Sequence, residues 1–315
     1  MRWRPGPRIS LLTGLLGAAA IGLSGCGGGS APQAAPPGPA GQAPAPVQVV
    51  ASTDVWGSVA QAVGGDRVAV TSIIDNPSKD PHEYESTPED ATAVGNAGLL
   101  LRNGGGYDDF MTKLIDSSGN KAPVVDAVTV SGLQKPGEPE FNEHVWYSLP
   151  TVQKVAQAVA ADLGRIDPSG ASTYTANAQR FTGEIDQLTG KAEAIGSAHP
   201  RARVVVTEPV PDYLLETAKL TNVTPEEFTE AIEEGNDPPA AVVQETLGLF
   251  RGRPPVEALV LNAQTQTPVT DQVRQAATAA RVPEVDVTET LAEGKSDYVS
   301  WMGSQIDALA KAVDT

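Results

Sequence analysis

Cysteine and histidine are both scarce in this chain. Of 315 residues one is cysteine, Cys26, and three are histidine, His82, His144 and His199. A lone cysteine excludes any disulfide within the chain. Basic residues are also few: 22 Lys and Arg stand against 39 Asp and Glu, a formal net charge of -17. That balance argues against nucleic acid as a partner and against adhesion to anionic lipid through basic patches. Beyond the first 25 residues no run is long and apolar enough to read as a transmembrane helix. The glycine-rich "NGGGYDDF" lacks the lysine and the spacing of a phosphate loop, so its glycines read as turn formers that let a loop run close beneath a site.

What is present begins at the N-terminus. Arg2, Arg4 and Arg8 precede the apolar run Ile9–Leu23, which has signal-peptide length and is too short to cross a bilayer comfortably. It ends in "LSGC", which resembles a bacterial lipobox and predicts lipidation at Cys26. Loss of the three leader arginines takes the net charge to about -20. The Pro/Gly/Ala/Gln-rich stretch that follows has almost no large apolar side chains and reads as a semi-extended tether. The organisation expected is a signal peptide at 1–25, a tether at 26–47, an N-terminal lobe at 48–168, a linker helix at 169–199 and a C-terminal lobe at 200–315.

Strand and helix patterns alternate through the rest. "VQVVAST", "RVAVTSII" and "LLLRNG" read as strands, and "DVWGSVAQAVGG", "TPEDATAVGNAG" and "YDDFMTKLIDSSG" as helices. Thr87 can cap the second of these, with Pro88 suited to its first turn. "APVVDAV" reads as an edge segment. A long helix follows, its apolar residues Tyr174, Ala178, Phe181, Ile185, Leu188, Ala192 and Ile195 forming one stripe at steps of three and four. The alternation then restarts with "ARVVVTEP". The expected fold class is α/β: two Rossmann-like lobes, each with a mostly parallel sheet, joined by one long rigid helix, with a ligand cleft where they meet.

Chemistry is confined to few residues. His82 in "DPHEYE" and His144 in "NEHVWY" both fall in non-helical loops beside aromatic and apolar residues, the setting of a metal ligand shielded from solvent. His199 follows a helix end and reads as a solvated residue. Glu208 and Glu289 end buried-type strands and face the expected cleft, where a carboxylate is costly unless paired or bound to a cation. "EEGNDPP" reads as a helix stop and turn, with contact to a partner as a second use. Trp56, Trp146 and Trp301 read as core or cleft wall.

Together "DPHEYESTPEDA", "NGGGYDDFM", "NEHVWYSLPTV", "TEPVPDYL", "IEEGNDPP" and "VTETL" resemble the metal-binding solute-binding lipoproteins of zinc and manganese ABC importers, the cluster A-I group, over about Val47–Val313. The resemblance implies one divalent metal ion as transported ligand, zinc or manganese, held by one residue from each of four loops: His82, His144, Glu208 and Glu289, with Asp286 near enough to compete for the fourth place. It implies an importer permease as partner, a monomer, and a lipid-anchored position on the outer face of the cell membrane. Two departures stand out. The third ligand is glutamate where zinc importers carry histidine, and the histidine-rich loop of many zinc members is missing. Two imidazoles and two carboxylates would neutralise a divalent ion and tilt preference toward harder ions, although zinc also accepts this set. A metal-dependent adhesin or scaffold of the same fold is the alternative. An extracytoplasmic metalloenzyme is a further one, opposed by the absence of the two-histidine helix spacing of metalloproteases.

Overall fold

The computed structural model describes residues 45–76, 84–135 and 141–314. The leader, Cys26, the tether up to 44 and His82 lie outside the described residues. Among those described, no helix is long and apolar enough to cross a membrane.

The first half contains β1 (Val47–Thr53), α1 (Asp54–Gly64), β2 (Val68–Ile74), α2 (Pro88–Asn96), β3 (Leu99–Arg102), α3 (Asp109–Ser118), β4 (Val124–Asp126), α4 (Ala127–Ser131) and α5 (Leu149–Ile166). The long helix α6 covers Ala171–Ala198. The second half contains β5 (Arg203–Val206), α7 (Asp212–Thr217), β6 (Thr221–Asn222), α8 (Glu226–Glu233), α9 (Ala240–Leu249), β7 (Ala258–Asn262), α10 (Pro268–Ala280), β8 (Glu284–Val287) and α11 (Tyr298–Val313). Each half forms a four-stranded sheet, in the orders β2-β1-β3-β4 and β6-β5-β7-β8, and every pairing is parallel. Both orders reverse beside the first strand, which opens a crevice at the carboxyl ends of the strands.

Local chemistry sets the element ends. Thr87 Oγ1 accepts from the Asp90 amide, and the Asp90 carboxylate accepts from the Thr87 amide, closing a capping box over the Pro88 start of α2. The two-residue β6 gave no pattern to read in the sequence. It is held only as an edge, by Thr221 and Asn222 beside β5.

Side-chain alternation divides the core. Val49, Leu99 and Leu101 from the first sheet, and Val204, Val206 and Val260 from the second, join the buried stripe of α6 in one continuous apolar cluster. The intervening residues face the other way. Val50 and Leu100 pack with Phe110 and Met111, while Val205, Leu259 and Leu261 pack with Phe228 and Val273. Each sheet is covered on both faces, as parallel sheets require.

Further bonds cross between the halves beside the strand ends. Tyr147 Oη donates to Thr288 O at 2.7 Å and to Gln305 Oε1 at 2.6 Å, and Tyr298 Oη donates to Trp146 O at 2.6 Å. Trp146, Tyr147, Trp301 and Tyr298 form a chain of ring contacts, with the Tyr147–Trp301 and Trp301–Tyr298 centroids both 5.6 Å apart. At the start of α1, Asp54 Oδ1 accepts from the Leu291 amide at 3.1 Å, and Ser58 Oγ accepts from the Tyr298 amide at 2.8 Å.

Burial pushes the Asp54 carboxyl up from 3.8 to about 6, against the lowering effect of the Leu291 amide. An acid whose folded pKa is raised costs stability when it ionises, so its contribution worsens as pH rises from about 4 through 6. Asp54→Asn keeps an oxygen acceptor and removes the charge. It is expected to stabilise the protein above pH 6.5 by at most about 3 kcal/mol and to give no gain at pH 4. Denaturant unfolding at the two pH values checks this, and an equal shift at both would contradict it.

Candidate metal centre

The His144 loop is built from its own polar neighbours. Asn142 Oδ1 accepts from the His144 amide at 3.0 Å, which fixes the orientation of that side-chain amide. The same oxygen lies 2.9 Å from His144 Nδ1. An amide oxygen only accepts, so the Nδ1 proton points to Asn142 and Nε2 is the unprotonated ring nitrogen. The imidazole is 1% exposed and packs edge-on against Trp146 at 5.0 Å between centroids. Val145–Tyr147 then turn through a 3-10 segment into α5.

The glycine turn after β3 lies under this loop, as its sequence suggested. Asn103 Nδ2 donates to Glu143 O at 2.9 Å. Gly105 has φ +73, and a Cβ there would meet Val128 at 3.0 Å and Glu143 Cβ at 3.3 Å. Only glycine gives both that backbone conformation and that closeness. Asp108 holds the turn from inside by accepting from the Asn103 and Gly104 amides at 2.6 and 2.9 Å.

Across the crevice, β5, β7 and β8 are neighbours, and their carboxyl ends carry Glu208, Asn262 and Glu289. Both glutamates are buried, at 3% and 4% exposure. Asn262 Nδ2 donates to Glu208 Oε2 and to Glu289 Oε1, each at 2.7 Å. Its Oδ1 accepts from the Gln264 amide at 3.1 Å, so the amide group cannot turn round without losing all three bonds. Thr265 Oγ1 also donates to Glu208 Oε1. Gln264 Oε1 accepts from the Glu289 amide at 2.6 Å and pins the loop after β8.

The structure therefore brings Glu208 and Glu289 together and places His144 on the facing loop, tied to the second half by Asn142 Nδ2 donating to Pro209 O at 2.8 Å and by Tyr213 Oη donating to Asn142 O at 2.7 Å. Asp286 stands apart. Its side chain is exposed on β8, 3.8 Å from Arg274. His199 caps the end of α6 and lies 2.6 Å from Asp314 Oδ1, outside the group of Glu143, His144 and Glu233.

Two participants escaped the sequence reading. Asn262 is one. The other is Glu233, the last residue of α8, where the "EEGNDPP" pattern read as a helix stop and turn with partner contact as a second use. Its Oε1 lies 3.5 Å from His144 Nδ1. Burial, then the negative charges of Glu143, Glu208, Glu289 and Asp212, push its carboxyl up to about 9. The pocket is thus crowded with acids whose mutual repulsion a bound cation would relieve. One donor atom each from Glu143, His144 and Glu233 lie within 4.8 Å of one another.

Two parallel-sheet lobes on one spanning helix, with imidazole and carboxylates gathered at the strand ends between them, define a two-lobed binding-protein architecture. The chain belongs to the family described as zinc-uptake complex component A, periplasmic, whose model matches residues 49–312. It is similar to the manganese-binding lipoprotein MntA of Halalkalibacterium halodurans, 29% identical over 142 residues, which are 45% of this chain and 47% of that one. It is also similar to the manganese-binding lipoprotein MntA of Bacillus subtilis, 29% identical over 195 residues, 60% of each chain. The matches thus span about half to three-fifths of these relatives' lengths. Among solved structures, the periplasmic zinc-binding protein TroA from Treponema pallidum shares the fold at TM-score 0.71, with 19% identity over 85% of this chain and 99% of that one.

Proposed function

We propose that this chain is an extracytoplasmic substrate-binding protein that captures a divalent metal ion, zinc or manganese, in the interlobe crevice and delivers it to the permease of an ABC importer. The metal is cargo, and no reaction is performed on it. The observation that supports the reading is the burial of three ligand-type side chains, His144, Glu208 and Glu289, on three different loops. The two carboxylates converge on one amide, Asn262. Buried acids in such number are stable only with compensation, and a dication supplies it. Family membership supports the same reading, as do relatives named for manganese and a fold neighbour named for zinc.

In this reading His82, His144, Glu208 and Glu289 hold the ion. Glu289 takes the fourth place over Asp286, because Asp286 faces solvent beside Arg274. Lipidation at Cys26 and the tether keep the domain at the outer face of the cell membrane, where it acts as a monomer.

The test is metal content and competition on purified protein. The wild type is expected to bind one equivalent of manganese or zinc. His144→Ala, His82→Ala and Glu208→Gln are each expected to lose at least about 100-fold in affinity, roughly 2.7 kcal/mol. Retention within tenfold in His144→Ala, or no stoichiometric metal in the wild type, would remove the reading.

A further inference from the structure

We propose that Asn142 is a positioning residue that couples the ligand loops of the two lobes: it fixes the tautomer of His144 and ties it to the loop of Glu208. This rests on the metal-capture reading above. The two ends of one side chain make the link. Asn142 Oδ1 accepts from the His144 amide at 3.0 Å, closing an Asx turn, and lies 2.9 Å from His144 Nδ1. Asn142 Nδ2 donates at 2.8 Å to the carbonyl of Pro209, the residue that follows Glu208. Turning the amide round would set NH2 against the His144 N–H and oxygen against the Pro209 carbonyl. Each end therefore has one chemically allowed role.

The effect on His144 follows from the count of ring protons. A neutral imidazole carries one, and an acceptor beside Nδ1 draws it there. Nε2 then holds the basic lone pair, the form in which an imidazole binds a cation. Without that acceptor the proton can move to Nε2, where a cation must displace it. Glu233 Oε1, at 3.5 Å from Nδ1, is too distant to take over the role of Asn142.

Asn142 reaches the second lobe twice. Besides the side-chain bond to Pro209, its own carbonyl accepts from Tyr213 Oη of α7 at 2.7 Å. Both anchors belong to the second half of the chain, whereas the imidazole they serve belongs to the first. Displacement of the Pro209 carbonyl cuts one end of the amide bridge and releases the other from Nδ1. The donor form of one ligand thus depends on the place of the loop that carries another.

The experiment uses the full chain with isotope-labelled histidine. Long-range nitrogen–proton NMR at about pH 8, where imidazole is neutral, reads the tautomer in metal-free protein. With three histidines in the chain, His82→Gln and His199→Gln assign the signals. Wild type and Asn142→Asp, which keeps an acceptor, are expected to hold the His144 proton on Nδ1. Asn142→Ala is expected to shift it in part to Nε2 and to lose about 10–100-fold in affinity for manganese and for zinc. Tyr213→Phe leaves the Asn142 side chain in place. It is expected to shift the tautomer less, in the same direction, and to cost about threefold to tenfold in affinity, but less than twofold in the Asn142→Ala background. An unchanged tautomer in Asn142→Ala overturns the proposal, and so does an equal Tyr213→Phe loss in both backgrounds. Wild-type tautomer and affinity in Tyr213→Phe overturn it too, whether or not Asn142→Ala folds. A wild type that binds neither metal removes the metal-capture reading and this inference with it, whereas the other failures remove this inference alone.

Discussion

Asn262→Asp is expected to unfold far more easily than the wild type once metal is stripped by chelator. The wild-type side chain donates from one nitrogen to two buried carboxylates, Glu208 and Glu289, at 2.7 Å each. Aspartate offers no donor there at neutral pH and places a third negative group between the two. Loss of both donations strands buried charge, and the added repulsion compounds it. A destabilisation of at least about 3 kcal/mol is expected in denaturant unfolding without metal. Asn262→Ala removes the donor without adding charge and is expected to cost less. Saturating manganese or zinc is expected to narrow the gap for Asn262→Asp, since a dication compensates the extra carboxylate and shifts the folded state by mass action. A loss below about 1 kcal/mol in the metal-free variant would show that Asn262 is not what keeps the pair together.

The second large effect lies at the other end of the spanning helix. Gly196 is buried where α6 crosses the end of α7, and a Cβ added there would meet Ala218 O at 2.3 Å and Lys219 Cβ at 2.7 Å. Helix propensity alone would favour alanine by about 1 kcal/mol. The contact is with backbone, which cannot swing aside, so overpacking wins. Gly196→Ala is expected to destabilise by about 2–4 kcal/mol. Gly183 and Gly190 on the same helix provide the control, because a Cβ at either meets nothing within 4 Å. Alanine at those positions is expected to stabilise by about 0.5–1 kcal/mol. Thermal unfolding of the three variants decides it, and a neutral Gly196→Ala would mean that the α7 end yields.

Much of this molecule was legible in the sequence, for reasons tied to particular residues. The stripe Tyr174, Ala178, Phe181, Ile185, Leu188, Ala192 and Ile195 is buried throughout, because steps of three and four leave a helix no other face to bury. Thr87 caps α2 as its position before Pro88 suggested. Trp56, Trp146 and Trp301 are buried, as large aromatics beside strand ends tend to be. Glu208 and Glu289 were visible as acids stranded at the ends of apolar strands. Asn262 was not, since a neutral amide carries no titration or spacing signal, and its role arises only because β7 pairs between β5 and β8. Glu233 was hidden for a different reason. An acid in the last turn of a polar helix normally faces water, and only the fold brings its carboxylate to 3.5 Å from His144. The strand Thr221–Asn222 was unreadable because two residues show no period.

The continuous apolar cluster shared by both sheets and α6 has a mechanical consequence. Two lobes with separate cores can swing like jaws about a thin connection. Here one interior runs through both, so a large hinge motion would tear apolar surface apart along the length of the helix and through the aromatic chain from Trp146 to Tyr298. The halves are accordingly one cooperative body. Compliance is left to segments outside that interior, such as the short α8, whose buried Phe228 and Ile232 belong to a separate cluster. Opening such a body is a matter of loosening its rim, not of bending its spine.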